Sequence, residues 1–231
     1  MVAKIIRQDQ INPHTYVLWL EEKSVPKPGQ FYMVYPKDGA KLLGRPISVF
    51  DYHEGQLGLL YEVVGGGTEE FSKLEAGEDL RILGPYGRGF TPYPDKKVAC
   101  IAGGVGLAPF IYLSRFLKGT TRVYFGTRDA QGFGDYLKDY PLDLKIQEGG
   151  YITEAVDFQA YDQFYTCGPR VMMNAVLDRC RQEDKDLELS LEERMGCGFG
   201  ACLACSCQGK ERRKKVCLDG PVFAKEELDH A

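Results

Sequence analysis

Five cysteines, Cys197, Cys202, Cys205, Cys207 and Cys217, crowd into one stretch near the C-terminal end of a 231-residue chain. The other three, Cys100, Cys167 and Cys180, are scattered. The crowded run reads Cys197-Gly198-Phe199-Gly200-Ala201-Cys202-Leu203-Ala204-Cys205, with Cys217 further on. That is C-x₄-C-x₂-C with a distant fourth cysteine, the plant-type spacing for a 2Fe–2S cluster. A cluster held by four thiolates carries net negative charge, so backbone N–H groups must point at its sulfurs. Gly196, Gly198 and Gly200 permit the positive φ values such wrapping demands. Structural zinc is the rival, but zinc sites pair two short knuckles, and only Cys202 and Cys205 have that spacing. Cys207 lies about 6–7 Å beyond Cys205 on an extended chain, and a buried non-ligand is expected there.

A disulfide framework suits small secreted chains. The first residues, Met1-Val2-Ala3-Lys4-Ile5-Ile6-Arg7, are mixed and charged and lack the apolar centre of a signal peptide. No apolar run approaches the ~18–20 residues a bilayer crossing needs. A cytoplasmic protein with no membrane contact is therefore expected. The net charge is −4, which weighs against nucleic-acid binding. The one basic run, Lys210-Glu211-Arg212-Arg213-Lys214-Lys215, is expected to form a solvated hairpin or loop.

Three textures divide the chain. Residues 1–95 read as short strands, at 15–20, 30–35, 46–50, 57–64 and 80–83, separated by turns, which suggests a small antiparallel barrel or sandwich. A short helix is expected over 68–74, with Thr68 as its N-cap. Residues 96–188 alternate strand and helix: strands at 98–102, 122–125, 142–146 and 164–167, and helices at 109–118 and 170–183. This is the pattern of a doubly wound parallel sheet. Residues 189–231 hold the cysteine cluster, and a metal centre is expected to hold so short a segment together.

Three segments suit phosphate groups. Arg45-Pro46-Ile47-Ser48 offers a planar, permanently charged guanidinium. Val64-Gly65-Gly66-Gly67-Thr68 runs a glycine-rich turn into a helix start, and the two together make a pyrophosphate cradle. Gly103-Gly104-Val105-Gly106-Leu107-Ala108-Pro109 follows an apolar strand and opens a helix, where a dinucleotide can approach the backbone. Thr166-Cys167-Gly168-Pro169 ends a later strand, where ligands bind in such folds. Cys167 either packs there or abuts a nicotinamide; no histidine near it in sequence would activate it as a nucleophile.

The order of these segments resembles that of the electron-transfer subunits of B-type, NAD-dependent dihydroorotate dehydrogenases, within the ferredoxin–NADP reductase superfamily. Pro28-Gly29-Gln30-Phe31, Arg45-Pro46-Ile47-Ser48, Leu60-Tyr61-Glu62, Gly67-Thr68, Leu83-Gly84-Pro85-Tyr86-Gly87-Arg88-Gly89-Phe90, Gly103-Gly104-Val105-Gly106 and Cys167-Gly168-Pro169 carry the likeness. The stretch from Glu192-Glu193-Arg194-Met195-Gly196-Cys197 through Cys217-Leu218-Asp219-Gly220-Pro221 carries it most specifically.

The resemblance implies a multidomain β plus α/β protein. Its parts would be a flavin-binding antiparallel barrel (1–95), a doubly wound nucleotide domain (96–188) and a small 2Fe–2S domain (189–231). It implies FAD contacts at Arg45, Pro46, Ile47, Ser48, Leu60, Tyr61, Glu62, Gly67 and Thr68, with Ser48 near the flavin's reactive nitrogen. Gly104, Gly106 and Cys167 would line the NAD site, and Cys197, Cys202, Cys205 and Cys217 would hold the cluster. No catalytic side chain is implied beyond the cofactors, with Ser48 and Cys167 beside flavin and nicotinamide. Glu62 departs from the arginine the family often has, and the 148–153 loop is shorter than the family's. Asp129 suits a ribose hydroxyl and Arg128 a 2′-phosphate, so the choice of NAD over NADP rests on the resemblance.

The implied work is electron transfer in pyrimidine biosynthesis. Electrons would come from an FMN-containing partner that oxidises dihydroorotate, pass through cluster and FAD, and reach NAD⁺. Two copies of each subunit are implied. Two alternatives stay open: a reductase subunit serving a different oxidoreductase, and a zinc-stabilised nucleotide-binding regulator.

Overall fold

A computed structural model describes residues 1–37, 42–119 and 121–231. Its first six strands close on themselves: β1 (Val2–Gln10), β2 (Thr15–Glu21), β3 (Phe31–Tyr35), β4 (Arg45–His53), β5 (Gln56–Glu62) and β6 (Asp79–Tyr86). They form an antiparallel barrel in the order β1-β2-β5-β4-β3-β6. The period-two rule explains who faces where. Leu18 and Leu20 of β2 fill the barrel with Ile5, Tyr32, Val34, Val49, Leu57 and Ile82. Val17 and Trp19 point outward, yet both are buried, because the outer face is packed against the next layer. β1 escapes sequence reading because only Ala3 and Ile5 of its first half point inward, between exposed Val2 and Lys4.

Between β5 and β6 lies α1 (Gly66–Phe71). Its N-cap is Gly65, not Thr68. Thr68 sits at the third helical position, where its Oγ1 accepts the N–H groups of Val64 (3.0 Å) and Gly65 (3.3 Å). The hydroxyl thus caps backward from inside the helix, one half of a capping box.

The following layer holds β7 (Val98–Gly103), α2 (Ala108–Ser114), β8 (Thr121–Thr127), α3 (Phe133–Leu137), β9 (Asp143–Glu148), β10 (Gln163–Cys167), α4 (Arg170–Gln182) and β11 (Asp186–Ser190). β7, β8, β9, β10 and β11 run parallel, as expected for strands covered on both faces. Every residue of β7 is buried. α2 stops at Ser114, earlier than the sequence suggests, and Arg115 caps it while gripping Asp51 of the barrel. Its Nε and Nη2 donate to the two carboxylate oxygens, both at 2.6 Å. Asp9 adds a second tie, accepting from Trp19 Nε1 (2.9 Å) and from the Tyr136 hydroxyl of α3 (2.8 Å).

The C-terminal segment contributes β12 (Ser206–Gln208), β13 (Arg213–Lys215), the short turn α5 (Val216–Asp219) and β14 (Val222–Ala224). β12 and β13 form the hairpin expected of the basic run, but it is not wholly solvated. Lys214 Nζ pairs with Glu227 at 2.7 Å, and Lys215 Nζ donates to the Gly200 carbonyl at 3.1 Å. β14 adds antiparallel to β11, giving a sheet of order β14-β11-β10-β7-β8-β9. One core therefore joins Phe31 and Met33 of the barrel, Leu187 and Leu189 of β11, and Cys205, Cys217 and Phe223 of the C-terminal segment.

Candidate functional site

A cleft of about 800 Å³ opens where barrel, parallel sheet and C-terminal segment meet. One wall is the barrel: Phe31 of β3, Arg45, Pro46, Ile47 and Ser48 of β4, Leu60, Tyr61 and Glu62 of β5, and Thr68 of α1. The other wall is Val105, in the 3₁₀ turn after β7, residues 190–195 at and beyond the end of β11, and Pro221. Eight of the nine barrel residues expected in one cofactor site thus share one surface. The ninth, Gly67, is buried directly behind Arg45. A Cβ there would stand 2.7 Å from the Arg45 Nε and Nη2 atoms, so the missing side chain is what lets the guanidinium lie over the glycine turn. Arg45 Nη1 also donates to the Leu43 carbonyl, which holds the fork at the cleft's edge.

Gly104 and Gly106 flank Val105 and play different parts. Gly104 has φ +55° and open space where a Cβ would be, so its backbone is free for close approach. A Cβ on Gly106 would lie 2.3 Å from the Cys167 carbonyl oxygen, so this glycine seats the turn against the end of β10. Cys167 is 1% exposed and stands behind the cleft wall. Its Sγ faces Glu192 Oε1 at 4.0 Å. Burial, then Glu192, pushes the thiol well up, so it stays protonated. Glu192 lines the cleft, and burial raises its carboxyl above the usual range. The sequence gives Glu192 no separate role; its signal is its place two residues past a parallel strand's end. Asp129 is spent on its own turn, its Oδ1 accepting from Gln131 N at 2.9 Å, and Arg128 is exposed.

The cysteine loop leaves the cleft wall directly, since Met195 lines the cleft and Cys197 follows. Cys197 Sγ accepts the N–H groups of Ala201 (3.3 Å) and Cys202 (3.5 Å). Burial pushes its thiol up, but the N–H groups of Cys202 and Phe199 outweigh that and bring it down to about 6. A sulfur surrounded by N–H donors is the environment a thiolate-bound cluster needs. Cys205 and Cys217 face each other, with Sγ atoms 3.2 Å apart, and Cys217 N–H donates to Cys205 Sγ at 3.4 Å. The Cys205 and Cys217 sulfurs thus form one close pair, and the Cys202 backbone meets the Cys197 sulfur.

Gly198 (φ +82°) and Gly200 (φ +91°) take the expected left-handed backbone. Gly196 does not; its role is space, since a Cβ would stand 3.2 Å from Cys202 Sγ. Leu203 (φ +61°) takes the third left-handed position, which no glycine marks. Cys207 lies on β12 opposite Lys214, half-buried rather than buried, with its thiol raised by burial.

Residues 192–229 match the iron–sulfur cluster binding domain of dihydroorotate dehydrogenase B. The whole chain is similar to the electron transfer subunit of dihydroorotate dehydrogenase B (NAD(+)) of Clostridium acetobutylicum. The two are 36% identical over 236 residues, covering 98% of this chain and 96% of that protein. The chain belongs to the family of dihydroorotate dehydrogenase B electron transfer subunits. The Caldanaerobacter subterraneus member is 35% identical, over 99% of this chain and 98% of its own length. Among solved structures, an NADH-dependent reduced ferredoxin–NADP oxidoreductase, described in connection with flavin-based electron bifurcation, superposes with TM-score 0.85. It is 26% identical and covers 100% of this chain and 90% of its own. A ferredoxin NADP⁺ reductase from Neisseria gonorrhoeae shares the fold at TM-score 0.64 and 17% identity, over 79% of this chain and 90% of its own. Family membership and this fold agree with the barrel, parallel sheet and cluster segment expected from sequence.

Proposed function

We propose that this chain is the reductase half of a two-subunit dihydroorotate dehydrogenase. It would receive electrons singly at a 2Fe–2S centre and deliver them in pairs, through FAD, to NAD⁺. The observation that carries this is the shared wall: the segment 190–195 lines the cleft and leads, through Gly196, to Cys197, the first of the proposed cluster ligands. When bound, FAD supplies the exchange between one-electron and two-electron chemistry that a cluster and a nicotinamide require. The iron–sulfur description of the matched domain leaves the zinc-regulator alternative without support.

Each residue's task follows from its place. Arg45, backed by Gly67, and the turn capped by Thr68 would hold the pyrophosphate. Ser48 on β4 would face the reactive edge of the flavin, with Pro46, Ile47, Leu60 and Tyr61 excluding water from the ring. Glu62, exposed at the end of β5, would reach the ribityl or ribose side. Gly104 and Gly106 would bring the nicotinamide dinucleotide onto the end of β7, with Cys167 packing behind it. Cys197, Cys202, Cys205 and Cys217 would ligate the cluster. In this assignment 1–95 binds FAD, 96–188 binds NAD and 189–231 holds the cluster, although β11 and β14 knit the last two into one sheet.

Arg45→Ala is expected to weaken FAD binding by roughly tenfold to a hundredfold, the worth of charge-assisted hydrogen bonds to a phosphate. Flavin titration of the apo chain measures it, and unaltered affinity would remove Arg45 from the cradle.

The partner would dock over the cluster mouth. Cys202 is exposed, and Phe199 (55%), Leu203 (61%) and Leu218 (55%) leave large apolar side chains in water near it. An FMN-containing subunit that oxidises dihydroorotate is the partner the family implies, two copies of each, in the cytoplasm. Among the described residues no helix is long and apolar enough to cross a membrane. A second reading, service to a different oxidoreductase, draws on the likeness to the NADH-dependent ferredoxin–NADP oxidoreductase. Co-purification separates them. Recovery of an FMN subunit whose complex reduces NAD⁺ on adding dihydroorotate supports the first; a complex inert to dihydroorotate overturns it.

A further inference from the structure

We propose that Tyr86 fixes the cluster loop against the flavin cleft, making it a positioning residue for electron transfer between the two centres. The inference rests on the function proposed above. Tyr86 ends β6 and is the register partner of Phe31 on β3, so the two rings share one face of the barrel. Their centroids are 6.1 Å apart with planes tilted by 58°. Phe31 is 3% exposed and lines the cleft. From the other side Tyr86 meets Phe199, at 6.4 Å between centroids, within the loop between Cys197 and Cys202. The three rings make a continuous aromatic path from cleft wall to cluster loop, each pair within the range of favourable ring contact.

The loop's backbone rests on the same support. A Cβ on Gly198 would stand 2.5 Å from Met33 Cγ and 3.2 Å from Tyr86 Cδ2, so loop and barrel touch there with no intervening side chain. Met33, Phe31, Cys205 and Cys217 belong to one core, against which Tyr86 packs. The proposed cluster ligands are thus seated on the barrel through Met33 and Tyr86, and Tyr86 also reaches Phe199. Phe199 is more than half exposed, so removing the Tyr86 ring takes away what places it and leaves a void beneath Gly198. Electron transfer falls steeply with distance and with loss of packed intervening atoms. A shift in this loop therefore slows transfer without touching either binding site. The ring does this work, so phenylalanine should replace tyrosine.

The test uses the full chain loaded with FAD and cluster, mixed anaerobically with NADH. In Tyr86→Ala, flavin reduction should keep the wild-type rate. Reduction of the cluster should slow roughly 10- to 100-fold, the range that outer-shell changes around a metal centre produce. Tyr86→Phe should match wild type in both steps. The electron paramagnetic resonance line shape of the reduced cluster should change in Tyr86→Ala and not in Tyr86→Phe. If Tyr86→Ala purifies short of iron, Phe199→Ala, altered at an exposed position, should slow the same step. A variant with full iron that reduces its cluster at the wild-type rate, with an unaltered line shape, overturns the proposal. A wild-type chain whose cluster never accepts electrons from NADH overturns the proposed function instead, and this inference falls with it.

Discussion

The Cys217→Ser chain is expected to purify yellow, with FAD bound and iron absent. Cys217 is 2% exposed on α5, and its Sγ lies 3.2 Å from that of Cys205. A serine oxygen is both harder and on a shorter arm than a thiolate, and iron–sulfur centres select soft sulfur ligands. The loss should be all-or-none for iron. Electron delivery to cluster-dependent acceptors should fall by at least about 100-fold, the upper end of what disturbing a metal centre costs. Reduction of FAD by NADH should stay at the wild-type rate, because Arg45, Ser48 and the β7 turn are untouched.

The metal also contributes folding energy to the segment that binds it. The loop 196–205 has few backbone bonds of its own, whereas β14 is paired with β11 at Ser190↔Val222, Leu189↔Phe223 and Glu188↔Ala224. Limited proteolysis of the iron-free variant should therefore cut within the cysteine loop and spare β14. Iron content near wild type would remove Cys217 from the ligand set. Cleavage first at β14 would contradict the picture of a metal-held loop on a sheet-held anchor.

Gly106→Ala should weaken the NADH reaction at limiting NADH about tenfold or more while leaving FAD and iron in place. The added methyl would meet the Cys167 carbonyl oxygen at 2.3 Å, its carbon at 2.5 Å and Gly168 N at 2.8 Å. All three are backbone atoms, so no side chain can rotate away. The turn after β7 must lift from the end of β10, and overpacking of this kind costs about 1–3 kcal/mol. Because the lifted turn is itself the expected dinucleotide seat, much of that cost should appear in NADH affinity, a rise in KM of about tenfold or more. Stopped-flow reduction of FAD against NADH concentration measures it. Wild-type KM with wild-type thermal stability would show that Gly106 neither seats the turn nor shapes the nucleotide site.

The iron–sulfur segment was legible in sequence because C-x₄-C-x₂-C is a spacing set by metal geometry, which no packing requirement imitates. The barrel face of the cleft was legible for a related reason. Arg45, Ser48, Tyr61 and Thr68 sit in short motifs whose residue types suit a phosphate and a ring. What sequence did not give was the opposite wall. Glu192 and Pro221 reach the cleft only because β11 and β14 pair across a gap in the chain, and nothing local announces that. β1 was hidden by its charged outer face, and Leu203 by a left-handed backbone that leucine rarely adopts. Thr68 resembles an N-cap in sequence although Gly65 holds that position, because a glycine N-cap carries no side-chain signal, whereas a threonine does. The Arg115–Asp51 clamp ended α2 early for a tertiary reason, and helix propensity cannot foresee it.

The proposed function requires one chain to hold flavin and cluster close enough for electrons to pass between them. Anaerobic titration of the purified chain with NADH, followed by absorbance and electron paramagnetic resonance with iron and flavin assayed on the same sample, tests it most directly. One FAD and two irons per chain are expected, with bleaching of the flavin band and then a cluster signal that Cys217→Ser abolishes. A colourless chain without iron, or a flavin that bleaches while an intact cluster stays oxidised, would contradict it.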